Sequence, residues 1–344
     1  MEICLDILQT VMDVSDIKTQ LSLSSTCRLH YNNLKIYSFD CNKSNPEILK
    51  TKRLDSLKVL IAKEKVEQKH ISKLNLVTLD ACDNIKITNV NWMTRLEDLY
   101  CGGDCGIDQE GIRGLNLKRL DACGNKKITN VAWMTKLEDL DCSWYSGIDQ
   151  EGICGLNLKR LNARGNEKIT NVNWMTRLED LNCSRYSGID QEGICGLNLK
   201  RLNASGNEKI TNVNWMTNLE DLNCSRYCGI DQEGICGLNL KKLNACDNDK
   251  ITNVDWMTNL EDLDCGLYCG IDQKGISGLN LKRLNASDNE KITNVDWMTR
   301  LEDLDCGLYC GIDQKGISSL NLKRLNACDN KKINNVAWMM HIFS

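Results

Sequence analysis

Seven tryptophans, Trp92, Trp133, Trp174, Trp215, Trp256, Trp297 and Trp338, stand 41 residues apart without one slip. A strict period of that length restricts the chain to a solenoid or a propeller, in which each copy buries its apolar side only against its neighbours. The composition follows from the copying. The 344 residues include one Pro (Pro46) and two Phe against 20 Cys and 8 Trp, because the copied unit has neither Pro nor Phe. Apolar residues at 42% and charged residues at 26% exclude a disordered chain. No apolar run approaches the length of a membrane span, and no signal peptide opens the chain. A net charge of −4 argues against nucleic acid or an anionic membrane surface as partner.

Each 41-residue unit holds a shorter pattern twice. Leu117-x-x-Leu120-x-Ala122-x-x-Asn125-x-x-Ile128 is one copy and Leu137-x-x-Leu140-x-Cys142-x-x-Tyr145-x-x-Ile148 the next. Half-units with Asn at position nine are called type A here, and those with Tyr there in most copies type B. Starting leucines from Leu57 to Leu322 mark fourteen coils, mostly 20 or 21 residues long in alternation. Apolar residues alternate about one short strand per half-unit. A propeller blade needs four strands, so the solenoid remains.

The pattern L-x-x-L-x-[AC]-x-x-N resembles the leucine-rich repeat over about residues 57–344. The resemblance implies an α/β leucine-rich-repeat solenoid: right-handed, with one parallel concave sheet and short or helical turns on the convex side. Position six is small, Ala or Cys, so the coils should be thin. The asparagines Asn84, Asn125, Asn166, Asn207, Asn248, Asn289 and Asn330 are placed to satisfy backbone groups of neighbouring coils.

Cys101, Cys142, Cys183, Cys224, Cys265 and Cys306 all fall at position six of type B. There a free thiol serves as a small hydrophobe. Two coils of separation, roughly 9–10 Å by strand spacing, is too far for a disulfide. Reduced thiols imply a cytoplasmic address. Cys265/Cys269 and Cys306/Cys310 have a C-x3-C spacing, but one thiol should face the core and the other the turn, so no metal site and no cofactor are expected. The tryptophan row serves either packing between coils, which its spacing favours, or stacking against a ligand. Arg119, Arg160, Arg201, Lys242, Arg283 and Arg324 on type A strands should face Asp139, Asp180, Asp221, Asp262 and Asp303 on type B strands as a charge ladder.

Residues 1–33 do not repeat. Leu5, Leu8 and Met12 share one helical face, and Asp16-Ile17, then Cys27, Arg28 and Tyr31, follow. This resembles a degenerate F-box in which Cys4 replaces a proline and His30 a tryptophan. An F-box before many near-identical repeats resembles proteins of the giant viruses of amoebae. The alternative is a plain helical cap over the first coil. The domain expectation is an F-box-like segment at 1–33, a first cap strand with a connecting loop at 34–56, and the solenoid at 57–344: seven double units, the last incomplete. The chain stops just after Trp338, so the last coil is expected to be uncapped.

No nucleophile–base pair, phosphate loop or metal cage is visible, and the three His are scattered, so no enzyme is expected. The resemblance implies a substrate-recognition adaptor of a cullin-type ubiquitin ligase, in host cytoplasm if viral. Leu5, Ile7, Leu8, Val11 and Leu21 would dock the ligase linker, and the concave face or its rim would hold a target protein. The alternative is a scaffold with no link to ubiquitin. Differences among the copies gather at position eight of type B and position seven of type A, which should admit side chains of any size. Trp144, Arg164, Arg185, Arg226, Leu267 and Leu308 are therefore the candidate partner contacts. Drift on an unselected surface would leave the same differences.

Overall fold

The x-L-x core of each half-unit makes a three-residue strand, its central Leu inward and its flanking residues turned to the sheet face. The computed structural model of the chain describes residues 36–41, 46–50 and 56–335. The expectations placed on residues 1–33, on the linker contacts Leu5, Ile7, Leu8, Val11 and Leu21, and on Trp338 lie outside them.

The chain divides into two compact units, residues 1–161 and 162–344. In the first, β1 (Ser38–Asp40), β2 (Val59–Ile61), β3 (Thr78–Asp80), β4 (Asp98–Tyr100), β5 (Arg119–Asp121) and β6 (Asp139–Asp141) pair in sequence order. Every pairing is parallel and in register. In the second, β8 (Asp180–Asn182), β9 (Arg201–Asn203), β10 (Asp221–Asn223), β11 (Lys242–Asn244), β12 (Asp262–Asp264), β13 (Arg283–Asn285), β14 (Asp303–Asp305) and β15 (Arg324–Asn326) do the same. β7 (Arg160–Asn162) falls at the division. Each unit is thus a parallel β-solenoid. Within residues 34–56 the described parts are the strand β1 and a 3-10 helix at Pro46–Lys50.

The back of each coil has little helix. Type B coils carry one 3-10 turn, such as Glu192–Ile194, and the one α-helix among the described residues, α1 (Gln68–Ile71), is four residues long. Thinness makes the coils depend on close approach. A Cβ on Gly188 would lie 2.3 Å from the Glu167 carbonyl oxygen and 2.5 Å from that of Ile169. Gly193 meets the Thr170 carbonyl in the same way, at 2.1 Å.

Side chains stitch the back where no sheet can. Gln191 accepts the N–H groups of Thr211 and Asn212 at 2.8 and 2.9 Å and donates to the Asn212 carbonyl at 2.9 Å. Gln232 and Gln273 repeat the clamp two and four coils on. Trp215 and Trp256 donate their indole N–H to the carbonyls of Leu197 and Leu238, both at 2.9 Å. The tryptophan row therefore serves coil-to-coil packing.

The core is one leucine row per sheet position plus Ala or Cys at position six. Leu181, Leu222 and Leu263 are fully buried, as are all six position-six thiols. Burial pushes Cys101, Cys224 and Cys265 well above the ordinary thiol range and Cys306 to about 12. One expectation fails: Cys269 and Cys310, placed at the turn, are also buried. Position ten tucks under the turn, where Cys228 at the equivalent place donates its thiol to the Asn207 carbonyl at 3.6 Å. Among the described residues no cluster of His, Cys, Asp and Glu could hold a metal ion, and no helix is long and apolar enough to cross a membrane.

Candidate functional site: the turn ridge

Position nine means opposite things in the two half-units. In type A it is an inward asparagine. Asn248 donates to the carbonyls of Cys224 and Ile230 at 2.9 and 3.0 Å and accepts the Lys250 N–H at 3.1 Å. Asn207 and Asn289 do the same two coils to either side. In type B, position nine is an outward tyrosine. Tyr186, Tyr227, Tyr268 and Tyr309 of the second unit are 72–79% exposed, and Tyr145 of the first is 71% exposed.

The reversal comes from the backbone. Arg185, Arg226 and Leu267 at position eight have φ of +34°, +58° and +41°, and Tyr186, Tyr227 and Tyr268 follow at +55°, +55° and +49°. Two successive left-handed residues without glycine are costly, about 1–2 kcal/mol each. Tertiary bonding imposes them. The N–H of Arg226 donates to the Cys246 carbonyl at 2.9 Å and that of Leu267 to the Ser287 carbonyl at 2.8 Å, extending the ladder past the strand end. The first type B coil has Gly103 at this place, with φ +66°. Later copies replace glycine with Trp, Arg and Leu.

The expected contacts divide accordingly. Arg226, Leu267 and Leu308 are exposed on the ridge of the second unit, and Arg185 is half-buried beside them. Trp144 has the same left-handed turn in the first unit, with φ +50° and 38% exposure. Arg164 is different. It lies at position seven of type A, half-buried, and position seven is not the open place expected. Its N–H turns back onto the Asn162 side chain at position five at 3.2 Å, as Ser205 N does onto Asn203 at 3.1 Å. Ser205 is buried there against the Ser225 hydroxyl at 2.9 Å, and burial pushes the Cys246 thiol to about 11. The tyrosines were not singled out from sequence. The available signal was size: a tyrosine in the place of a buried asparagine could not fit so thin a coil.

The sheet face is neutralised. Arg201 pairs with Asp180 at 2.9 Å, Arg283 with Asp262 at 2.7 Å and Arg160 with Asp139 at 2.8 Å. A second ladder, absent from the sequence reading, runs beside it, with Lys200–Glu179 and Lys241–Glu220 at 2.9 and 3.0 Å. Such exposed pairs contribute about 0–1 kcal/mol each, so they fix register more than they stabilise.

No family model matches the chain, and no curated protein matches it. Among solved structures, a chain of the yeast Rad7–Elc1 complex is similar at 16% identity over 85% of this chain and 88% of that one, with a TM-score of 0.43. The functional domain of InlJ from Listeria monocytogenes, described as including a cysteine ladder, is similar at 21% identity over 78% and 67%, also with a TM-score of 0.43. A leucine-rich repeat protein from Bacteroides ovatus gives 11% identity and a TM-score of 0.17. At these levels the chain's own geometry is what speaks to function.

Proposed function

We propose that the chain is a protein-binding scaffold whose partner lies along the turn ridge. Arg185, Arg226, Leu267 and Leu308 make the contacts in the second unit, with Arg164 at its margin, and Trp144 plays the same part in the first. One observation carries the reading. Exposed Trp, Arg, Leu and Tyr side chains occupy left-handed backbone that glycine would fill at lower cost. Strain held at exposed, hot-spot residue types is a mark of binding surfaces rather than of packing. Photo-crosslinking tests it. Benzoyl-phenylalanine in place of Arg226 should trap a discrete partner, and in place of Lys242 on the sheet face or Thr211 on the back should not. Trapping only from the sheet face or the back would overturn the ridge.

The finer reading makes this scaffold a substrate-recognition adaptor of a cullin-type ubiquitin ligase. It is supported by the F-box resemblance of residues 1–33 alone. Full-length chain should recover a ligase linker subunit, and Leu5→Ala with Leu8→Ala should lose it. Recovery of no ligase subunit leaves the scaffold without the ubiquitin link.

A further inference from the structure

The tyrosines of the ridge recur every second coil, and two strand spacings come to about 9.4–9.8 Å. In the second unit Tyr186, Tyr227, Tyr268 and Tyr309 form the row. Between them, on the intervening type A coils, stand the exposed carboxylates Glu208, Asp249 and Glu290. No ion pair among the described residues engages these three. The neighbouring lysines are held at the turn itself: Lys209, Lys250 and Lys291 donate to the carbonyls of Ser187, Cys228 and Cys269, each the residue after a row tyrosine, at 3.5, 3.4 and 3.2 Å. A groove of about 550 Å³ between Tyr227 and Tyr268 is walled by Glu208, Asp247 and Asp249 against one cation, Lys250. The excess of negative charge is greatest in this groove; the one between Tyr186 and Tyr227 sets Arg185 and Arg226 against Glu208 and Asp247.

We propose that this row binds a proline-rich segment of a protein, in polyproline II conformation, carrying Arg or Lys at every third residue. The proposal rests on the turn ridge being the binding surface. The repeat length selects the conformation. Polyproline II turns once in three residues, about 9.3 Å, and so falls behind the tyrosine row by about 0.3 Å per repeat. An α-helix presents the same face after seven residues, about 10.5 Å, and drifts by about 0.9 Å per repeat. A β-strand repeats its face every two residues, about 6.8 Å, and comes near step only at every second tyrosine, six residues or about 20 Å on. Proline rings suit the tyrosine faces, and a preformed polyproline helix loses little entropy on docking. The carboxylates between the rings choose the cation.

The experiment uses the full chain and fluorescein-labelled twelve-residue peptides in an anisotropy titration at physiological salt. The peptide (Pro-Pro-Arg)4 should bind at least tenfold tighter than (Gly-Ser-Arg)4, which has its charge without its conformation, and than (Pro-Pro-Glu)4, which has the reverse. Tyr227→Ala with Tyr268→Ala should weaken it at least tenfold, whereas Tyr227→Phe with Tyr268→Phe should retain it. Glu208→Gln with Asp249→Asn should erase the preference for Arg over Glu. Equal binding of the Gly-Ser peptide, or binding indifferent to the tyrosines, would reduce the site to charge attraction and overturn the proposal. Failure of every peptide while Arg226 still crosslinks a partner would overturn the proline-rich class and leave the ridge standing. Loss of both would remove the ridge itself.

Discussion

A buried side-chain amide is tolerated only when its donors and acceptor are matched, and Asn248 matches all three of its functions with backbone of its own and the preceding coil. Asn248→Ala orphans the Cys224 and Ile230 carbonyls and the Lys250 N–H together. At about 1–3 kcal/mol per orphaned buried group, urea unfolding should show a loss of at least 2 kcal/mol. Asn248→Asp should not restore it, since a carboxylate presents lone pairs where the amide presented hydrogens. Asp121 is the opposite case, a residue that works against the fold. Burial, and then Asp141 and Asp80, push its carboxyl up against the lowering effect of the Cys123 N–H. A raised folded-state value means that the protonated form is favoured by folding. Its contribution is complete below the unfolded value of about 3.9 and is lost as the pH rises through the higher folded value. Equivalent places on later strands carry Asn203, Asn244 and Asn285. Asp121→Asn should therefore raise the melting midpoint at pH 7, by about 2–4 °C for each kcal/mol gained, and the gain should shrink toward pH 4. Asp303 runs the other way. Arg324 holds it low, so its contribution is present above the ordinary carboxylate range and fades as the pH falls through the lowered value.

The informative element is the type B turn. Its two left-handed residues are held by bonds such as Arg226 N–H to the Cys246 carbonyl, and glycine already fills the first place at Gly103. Arg226→Gly removes a steric cost of about 1–2 kcal/mol and adds about 0.5–1 kcal/mol of unfolded-state entropy. The unfolding midpoint should stay level or rise. Binding of the partner should fall, which would show that the ridge gives up stability for contact. A drop in the midpoint would mean that Arg226 is structural. At the turn that follows, Gly188 meets the Glu167 and Ile169 carbonyls with no room for a methyl group. That close approach reserves the place for glycine.

Among the described residues most thiols sort by place in the coil, with Cys328 on the last described strand exposed where Cys82, Cys123 and Cys246 at the same position are half-buried. Cys154, Cys195, Cys236 and Cys328 are exposed, while the six position-six thiols are buried. Iodoacetamide at pH 8 should label the four exposed residues in the folded protein and spare the buried six until denaturant is added. Rapid labelling of Cys183 or Cys224 in the native state would put the strand register wrong by one residue, since a one-residue slip exchanges the two faces. Each unit is an array whose coils touch mainly their neighbours, so protection of these thiols should be lost segment by segment rather than at once.

The period of the tryptophans, the alternation of Leu, Leu and Ala or Cys, and the recurrent Asn were enough to place strands, core and inward amides. Each is a local pattern repeated in register, and a repeated local pattern has one way to stack. The sheet-face pairing of Arg with Asp was legible for the same reason. The direction of position nine in type B was not, because Asn and Tyr share a place in the pattern and sequence spacing does not specify the sign of φ. Nor was the partial burial of position seven within the stacked coils, which depends on an N–H turning back to position five. Hydrogen bonds between coils decide both, and they exist only once the coils are stacked. Side-chain size bars a tyrosine from the buried place of the asparagine, but the turn that carries the tyrosines outward into one row was decided by the tertiary structure.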